Sequence, residues 1–180
     1  MLTVYYNLIA VSTYMLSCYT LAPINEGGKR TLAFKRSMFN FVLLLTLNTT
    51  ELPVSSSLFN VLLWYPLSEL IFSVIHHCLH FKPLYWIHKQ HHEHEIPCST
   101  SCFDAHPIEF FMSNVMSYAL PIYIFPGPLY MQVLALVISV INTVLAHCRP
   151  GVHRIHHQKR KYNFGFGTYT YDKIMNTYYS

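Results

Sequence analysis

Long apolar runs with almost no charge constrain this chain more than any other feature. Residues 2–22 carry no charged side chain, and residues 58–75, 108–125 and 129–146 form further apolar runs. A helix needs about 20 mostly apolar residues to cross the roughly 30 Å of hydrocarbon in a bilayer. One more run, residues 32–47, barely reaches that length. Because lipid-exposed backbone must form its hydrogen bonds within its own segment, these runs predict membrane helices.

The composition agrees with this interpretation. Charged residues make up 11% of the chain, where a soluble domain has about 25%. The net charge is only +4 and the basic residues are scattered, so a nucleic acid partner is not expected. The five cysteines form no CxxC pair, which favours free thiols in a reducing compartment. A zinc site at Cys98 and Cys102 is a minor alternative.

Proline, glycine and other turn-forming residues indicate where the predicted helices end. We expect a polar loop at 23–37, a turn-rich loop at 48–57, and a kink at Pro66. Pro-Gly-Pro at 126–128 predicts that the runs on either side form a helical hairpin dipping into the membrane. The fold class predicted is an all-α integral membrane protein. It has about four to five apolar membrane helices or hairpin segments and a cytoplasm-facing helical cap.

The basic residues predict which side of the membrane this cap faces. If the apolar runs cross in turn, residues 23–37, 76–107 and 148–180 share one side and carry all 12 Lys and Arg residues of the chain. Cytoplasmic loops of membrane proteins are enriched in Lys and Arg, so this side is expected to be cytoplasmic. Asn48 begins an Asn-Thr-Thr glycosylation sequence on the opposite side.

Histidine is concentrated in the middle of the chain, with all 12 histidines between His76 and His157. Residues three and four apart share one face of a helix. Eight imidazoles follow this spacing in three groups, at His76 and His80, at His88, His91 and His92, and at His153, His156 and His157. One ion takes four to six ligands, so two metals fit better than one, and the cytoplasm-facing helical cap is predicted to hold a histidine-ligated di-metal site. Imidazole suits zinc, copper, iron and nickel alike. His77 and His94 fall outside the spacing and are predicted to be structural.

These motifs resemble the fatty acid hydroxylase and sterol desaturase superfamily of integral-membrane di-iron oxygenases. The resemblance rests on the order HxxxH, HxxHH, HxxHH, on "ELIFSVIHHCLH" ahead of "LYWIHKQHH", and on "DAHPIEFF". It extends to "HRIHH" and the following "YNFGFGTYTYDKIMNT", so it covers about Glu69 to Thr177. It divides the chain into N-terminal membrane helices, 1–68, and a histidine-box domain, 69–180.

The resemblance implies two iron ions, dioxygen as co-substrate, and a ninth ligand, His147. The alternative for His147 is a helix-end histidine that complements the helix dipole. His106 is either a ligand or a residue that holds its loop. Four acids near the boxes are expected to orient ligating imidazoles: Glu69, Asp104, Glu109 and Asp172.

The implied activity is hydroxylation or desaturation of a lipid, with a sterol favoured because the sequence looks closest to the sterol C-5 desaturase and C-4 methylsterol oxidase branches. A fatty-acyl or sphingolipid hydroxylase is the alternative. The chain has no haem-binding or flavin-binding segment, so a b-type cytochrome or an NAD(P)H-dependent reductase is expected to supply electrons. The expected location is the endoplasmic reticulum membrane in a eukaryote or the inner membrane in a bacterium. Two further alternatives are a histidine-rich membrane metal-binding or transport protein and an inactive structural relative.

Overall fold

The computed structural model describes residues 2–21, 29–47 and 51–180, and over these ranges the chain is helical without a β-sheet. The nine α-helices of this part are α1 Leu2–Leu21, α2 Lys29–Leu47, α3 Val61–Leu79, α4 Tyr85–His88, α5 Pro107–Glu109, α6 Met116–Ile124, α7 Leu129–Cys148, α8 Val152–Lys159 and α9 Thr170–Ile174. Short 3₁₀ turns lie at His91–Glu93 and Ser99–Ser101, and a π-helical segment, Phe110–Val115, joins α5 to α6. Asn48 and residues 23–28 of the predicted loop lie outside the described residues.

The predicted loop at 23–37 is wrong over its second half. α2 begins at Lys29, so the basic residues of this stretch belong to its first two and a half turns. Lys and Arg are good helix formers, and they extend the helix ahead of its apolar part. α3 likewise runs to Leu79, which places His76 and His77 in its last turn. α3 passes through Pro66 without ending there.

The two arms of the predicted hairpin pack against different neighbours. α7 packs along α1, and α6 packs along α3, while α6 and α7 contact each other only slightly. The connection between the arms is fixed to the start of α3, because Trp64 Nε1 donates to the Phe125 carbonyl at 2.8 Å. Gly127 packs so closely on Trp64 that a Cβ there would lie 2.5 Å from the indole ring. The Pro-Gly-Pro turn therefore connects two separate helix pairs.

An aromatic core joins the N-terminal helices to the segment between the second histidine group and α5. The Tyr14 ring contacts Phe41 and Phe103 at centroid distances of 5.5 and 5.4 Å. Tyr14 also donates its hydroxyl to the Thr100 carbonyl at 3.1 Å. Asn40 Nδ2 donates to the carbonyls of Phe103 and Ala105 at 3.1 and 2.8 Å. α1 and α2 thus hold the backbone on both sides of Asp104.

Among the described helices, α3 and α7 are long and apolar enough to cross a membrane. Only 22% and 17% of their most apolar stretches are buried, which is unlike the core helices of a soluble protein. α3 carries His76 in its last turn, and α7 carries His147 in its last turn. The histidines thus lie at the C-terminal ends of both candidate spans. The predicted division at residue 68 falls within α3, and it stays a prediction.

Candidate metal centre

Nine histidines converge into two adjacent groups. The five-histidine cluster contains His76, His80, His88, His92 and His156, and the four-histidine cluster contains His91, His147, His153 and His157. Within each cluster, one ring nitrogen from every histidine lies within 4.8 Å of all the others. The spacing predicts eight of these residues, and the resemblance adds the ninth, His147. Neither Cys98 nor Cys102 belongs to either cluster.

The helical spacing explains how neighbouring histidines reach different clusters. In α8, His153 and His157 are one turn apart and face the four-histidine cluster, while His156 between them faces the other. His88 and His92 share the five-histidine cluster, and His91 points to the four-histidine cluster. This second group is not one continuous helix, because α4 ends at His88 and His91 begins a 3₁₀ turn. The two clusters adjoin, with the His92 and His157 rings 4.9 Å apart.

Five of the nine clustered rings are fixed through Nδ1 by a neighbouring oxygen atom. Four backbone carbonyls serve in this way: Phe164 for His76 at 2.7 Å, Thr143 for His147 at 2.8 Å, Tyr162 for His156 at 2.7 Å and His94 for His157 at 2.9 Å. His88 Nδ1 instead lies 2.6 Å from the Glu109 carboxylate. A backbone carbonyl can only accept, so Nδ1 must carry the proton in the four rings bonded to carbonyls, which leaves their Nε2 atoms facing into the clusters without a proton.

Burial keeps these rings neutral. It lowers the pKa of His80 to about 2, of His88 to about 3 and of His91 to about 4. It also lowers the pKa of His153, His156 and His157 well below the ordinary value, with repulsion from neighbouring histidines as a further cause. A charged imidazolium would lose its hydration here. A neutral ring whose Nδ1 is protonated presents a lone pair at Nε2.

The facing nitrogens therefore cannot all hydrogen-bond to each other. His76 Nε2 lies 3.1 Å from His88 Nε2, and the His76 proton is already on Nδ1. In the other cluster, His153 Nε2 lies 3.0 Å from His147 Nε2 and 3.2 Å from His157 Nε2. Two lone pairs at such distances repel unless a cation lies between them.

The separations fit a metal ion. Imidazole nitrogen binds zinc-sized ions at about 2.0–2.1 Å, so neighbouring ligands of a tetrahedral or octahedral ion lie roughly 2.8–3.4 Å apart. The facing Nε2 pairs span 3.0 to 3.4 Å across the two clusters. The donor set is entirely imidazole in both, which excludes neither iron nor zinc. The residues present thus fit two ions, one in each cluster.

Of the four acids expected near the boxes, only Glu109 contacts a clustered imidazole directly. Its Oε1 lies 2.6 Å from His88 Nδ1, and both side chains are nearly fully buried. Glu109 Oε2 has no hydrogen-bond partner among the described residues. A carboxylate behind a ligating histidine fixes the ring and increases its donor strength. Glu109 is therefore the acid placed to tune the five-histidine cluster.

Asp172 and Glu69 act on the clusters through the backbone. Asp172 is fully buried and accepts from the backbone N–H groups of Phe164 and Gly165 at 2.8 and 2.7 Å. The Phe164 carbonyl in turn holds His76. Glu69 accepts from Thr170 N at 2.9 Å and so ties this C-terminal segment to α3. Both acids shape the loop that supports the cluster.

The other predicted residues lie outside the clusters. Asp104 contacts His94 Nε2 at 2.9 Å and accepts from Gln90 Nε2 at 2.7 Å. The His94 ring therefore points to Asp104, while its carbonyl supports His157. His106 caps α5 by accepting from Ile108 N at 3.2 Å, so the structure does not bring it to either cluster.

His77 also points away from the clusters. Its Nδ1 hydrogen-bonds to the Tyr171 hydroxyl at 2.8 Å, and its ring stacks on Phe164 at 4.2 Å. Sequence reasoning missed Phe164, whose carbonyl holds His76 and whose ring packs on His77. Because every residue has a carbonyl, the side-chain pattern gave no signal for that role.

Comparison with known proteins supports the geometric result. The fatty acid hydroxylase family matches residues 61–177. The chain belongs to this family. The matched range begins with α3 and includes all nine clustered histidines. No curated protein and no solved structure matches the chain. Family membership, together with the exposed apolar surfaces of α3 and α7, indicates a membrane protein with histidine clusters able to hold metal.

Proposed function

We propose that this protein is a membrane-bound di-iron oxidoreductase that hydroxylates or desaturates a lipid by using dioxygen and electrons supplied by another protein. The observation that carries the proposal is the convergence of unprotonated Nε2 atoms in two adjoining clusters, at His76 and His156 in one and at His147 and His157 in the other. Two iron ions held there would supply the activation of dioxygen that oxidation of an unactivated C–H bond requires. Family membership supports iron over the other metals that imidazole accepts.

The chain itself has three tasks in this proposal. The nine imidazoles hold two ions side by side, and the buried partners at Nδ1 fix each ring before a metal arrives. Glu109 makes His88 a stronger donor than a carbonyl-bonded histidine and so distinguishes the two ions. Burial of eight of the nine rings excludes bulk water from the reacting groups.

A sterol is the substrate that we favour, because "HPIE" and the hairpin ending in His147 resemble the sterol C-5 desaturase and C-4 methylsterol oxidase branches. A fatty-acyl or sphingolipid substrate is the alternative, and it agrees with the description of the matched family. Both substrates are lipids that can approach from the bilayer. The histidine clusters lie at the ends of α3 and α7, where such a lipid would meet the site from its apolar side.

The proposed location is the endoplasmic reticulum membrane in a eukaryote, or the inner membrane in a bacterium, with the clusters on the cytoplasmic side. A polar contact supports the common placement of the basic segments. Arg36, in the basic first half of α2, lies 2.8 Å from Glu93 in the second histidine group. The basic part of α2 and the histidine segment therefore occupy the same end of the helices.

Comparison of lipids in cells with and without the chain tests the proposed function. We expect a new hydroxyl group, a new double bond or the loss of a sterol methyl in cells that express the wild type. The product should disappear in a His92→Ala variant that still inserts into the membrane. An unchanged lipid profile with a fully metal-loaded wild type would refute the proposal and would favour a metal-binding or structural role.

A further inference from the structure

The five-histidine cluster reaches the surface of the described structure through one of its members. Eight of the nine clustered histidines are buried, and His80 alone is partly exposed. His80 lines an open depression of about 360 Å³ together with Lys82, Tyr85 and Arg160. This depression therefore connects the surface to the metal centre through a single imidazole.

The depression is positively charged. Lys82 and Arg160 are both exposed, and no carboxylate is among the residues that line it. Lys159 and Lys161 flank Arg160 and are exposed as well. A concave surface lined by one sign of charge concentrates its field and attracts the opposite charge.

Local structure holds the cationic side chains close to the cluster. Lys82 lies two residues beyond His80 at the end of α3. Arg160 ends α8 with a left-handed backbone, φ 58°, and its backbone N–H donates to the His156 carbonyl at 2.7 Å. Both cations therefore flank clustered histidines that are close to each other, since His80 Nε2 and His156 Nε2 are 3.2 Å apart.

Tyr85 forms the wall between the depression and the interior. Its ring centroid lies 6.0 Å from that of His80, and 6.4 Å from those of His88 and His92. An aromatic ring and a ligand imidazole thus separate the depression from the cluster. A redox centre brought to this place would face His80 itself, without another clustered histidine in between.

We propose that this depression is the docking site of the electron donor, and that the donor is a protein with an acidic surface. The inference rests on the proposed function, which requires two electrons per dioxygen. Each encounter oxidises the donor's redox centre by one electron, and two encounters supply the pair. Asp or Glu side chains of the donor would pair with Lys82 and Arg160, which places the donor against His80 and Tyr85.

The test uses full-length protein in neutral phosphatidylcholine nanodiscs and the acidic haem domain of a b-type cytochrome as the probe. Its equilibrium dissociation constant is measured for the wild type, Lys82→Glu and Arg160→Glu. Lys35→Glu is the matched control, because Lys35 is also exposed but lines a separate depression beside α2. We expect each rim substitution to weaken binding about tenfold or more at low salt, with a smaller loss at high salt. The control should bind like the wild type.

Three outcomes would overturn the docking site: no binding by the wild type, equal binding by all variants, or equal weakening in Lys35→Glu. An effect confined to nanodiscs that contain phosphatidylserine would assign the cations to lipid headgroups and would also overturn it. Oxidation of the reduced haem domain under air tests the proposed function separately. Rim-dependent binding without this oxidation would support the docking site and count against the oxygenase function. Lys82→Glu stays decisive even if Arg160→Glu misfolds at its left-handed position.

Discussion

Replacing Glu109 by Gln should weaken one metal site and leave the other intact. Glu109 Oε1 lies 2.6 Å from His88 Nδ1, and both side chains are buried. Burial raises the pKa of Glu109 to about 8, and a cation held in the cluster would favour its carboxylate form. Gln keeps the shape of the side chain and can still accept from the ring, but it cannot supply the negative charge that would strengthen His88 as a donor in the metal-loaded protein. Loss of such a supporting carboxylate typically lowers metal affinity by about 10- to 100-fold, or about 1.4–2.8 kcal/mol. His88 belongs only to the five-histidine cluster, so a single ion should be affected.

Chelator competition followed by elemental analysis measures this effect. The expected result is that Glu109→Gln releases one of two ions at a chelator concentration that leaves the wild type loaded. Glu69→Gln is the matched control, because Glu69 is equally buried but bonds to the 168–170 segment and to no histidine. The amide oxygen of Gln can still accept from Thr170 N, so this change removes a charge but keeps the contact that shapes the loop. Wild-type retention of both ions by Glu109→Gln, or the same loss in Glu69→Gln, would refute the argument.

Three further predictions follow from neighbouring contacts. His92→Ala should abolish oxidation and metal retention at its cluster. His94→Ala should retain most of both, because the His94 backbone carbonyl that supports His157 remains. Elemental analysis and lipid profiling measure the two effects, and equal losses in the two variants would show that the assignment of the His92 and His94 rings is wrong. Asp172→Ala leaves two buried N–H groups without acceptors and should lower the free energy of unfolding by about 2–6 kcal/mol. Thermal unfolding in detergent should show a lower midpoint, and an unchanged midpoint would contradict the prediction. Tags after Gly28, outside the described residues, and after Ser180 should both react with reagents confined to the cytoplasm, and protection of either would contradict the predicted orientation.

Regular spacing made the clustered histidines predictable. Residues at i and i+4 share a helix face, so His153 and His157 fall together and His156 falls apart from them. His147 lacks this signal because it is an isolated histidine in the last turn of α7. Only the resemblance to a family identified it in advance.

Contacts between residues that are far apart in the sequence could not be predicted from local spacing. Four buried acids near the boxes look alike in sequence, yet Glu109 bonds to a clustered imidazole and Glu69 to a loop. That difference depends on how α5 packs beside α4, which local pattern does not encode. The partners of four Nδ1 atoms are backbone carbonyls, which every residue possesses.

Two features of the fold differ from the prediction: the residue at which α2 begins, and the helices against which α6 and α7 pack. The charge of the basic residues near the start of α2 is typical of a polar loop, but the helix propensity of Lys and Arg extends the helix through them. Pro-Gly-Pro correctly predicted a break between α6 and α7, but not which helices the two arms would pack against. Tertiary packing decides such pairings, and apolar runs of similar composition offer no way to distinguish the partners.

The metal content of the purified protein tests the central claim most directly. Protein produced in iron-replete cells and purified in mild detergent should contain two iron ions per chain by elemental analysis. His156→Ala and His157→Ala should each lose an ion from a different cluster, because His156 belongs to the five-histidine cluster and His157 to the four-histidine cluster. Zinc alone, or no more than one ion in the wild type, would contradict the account.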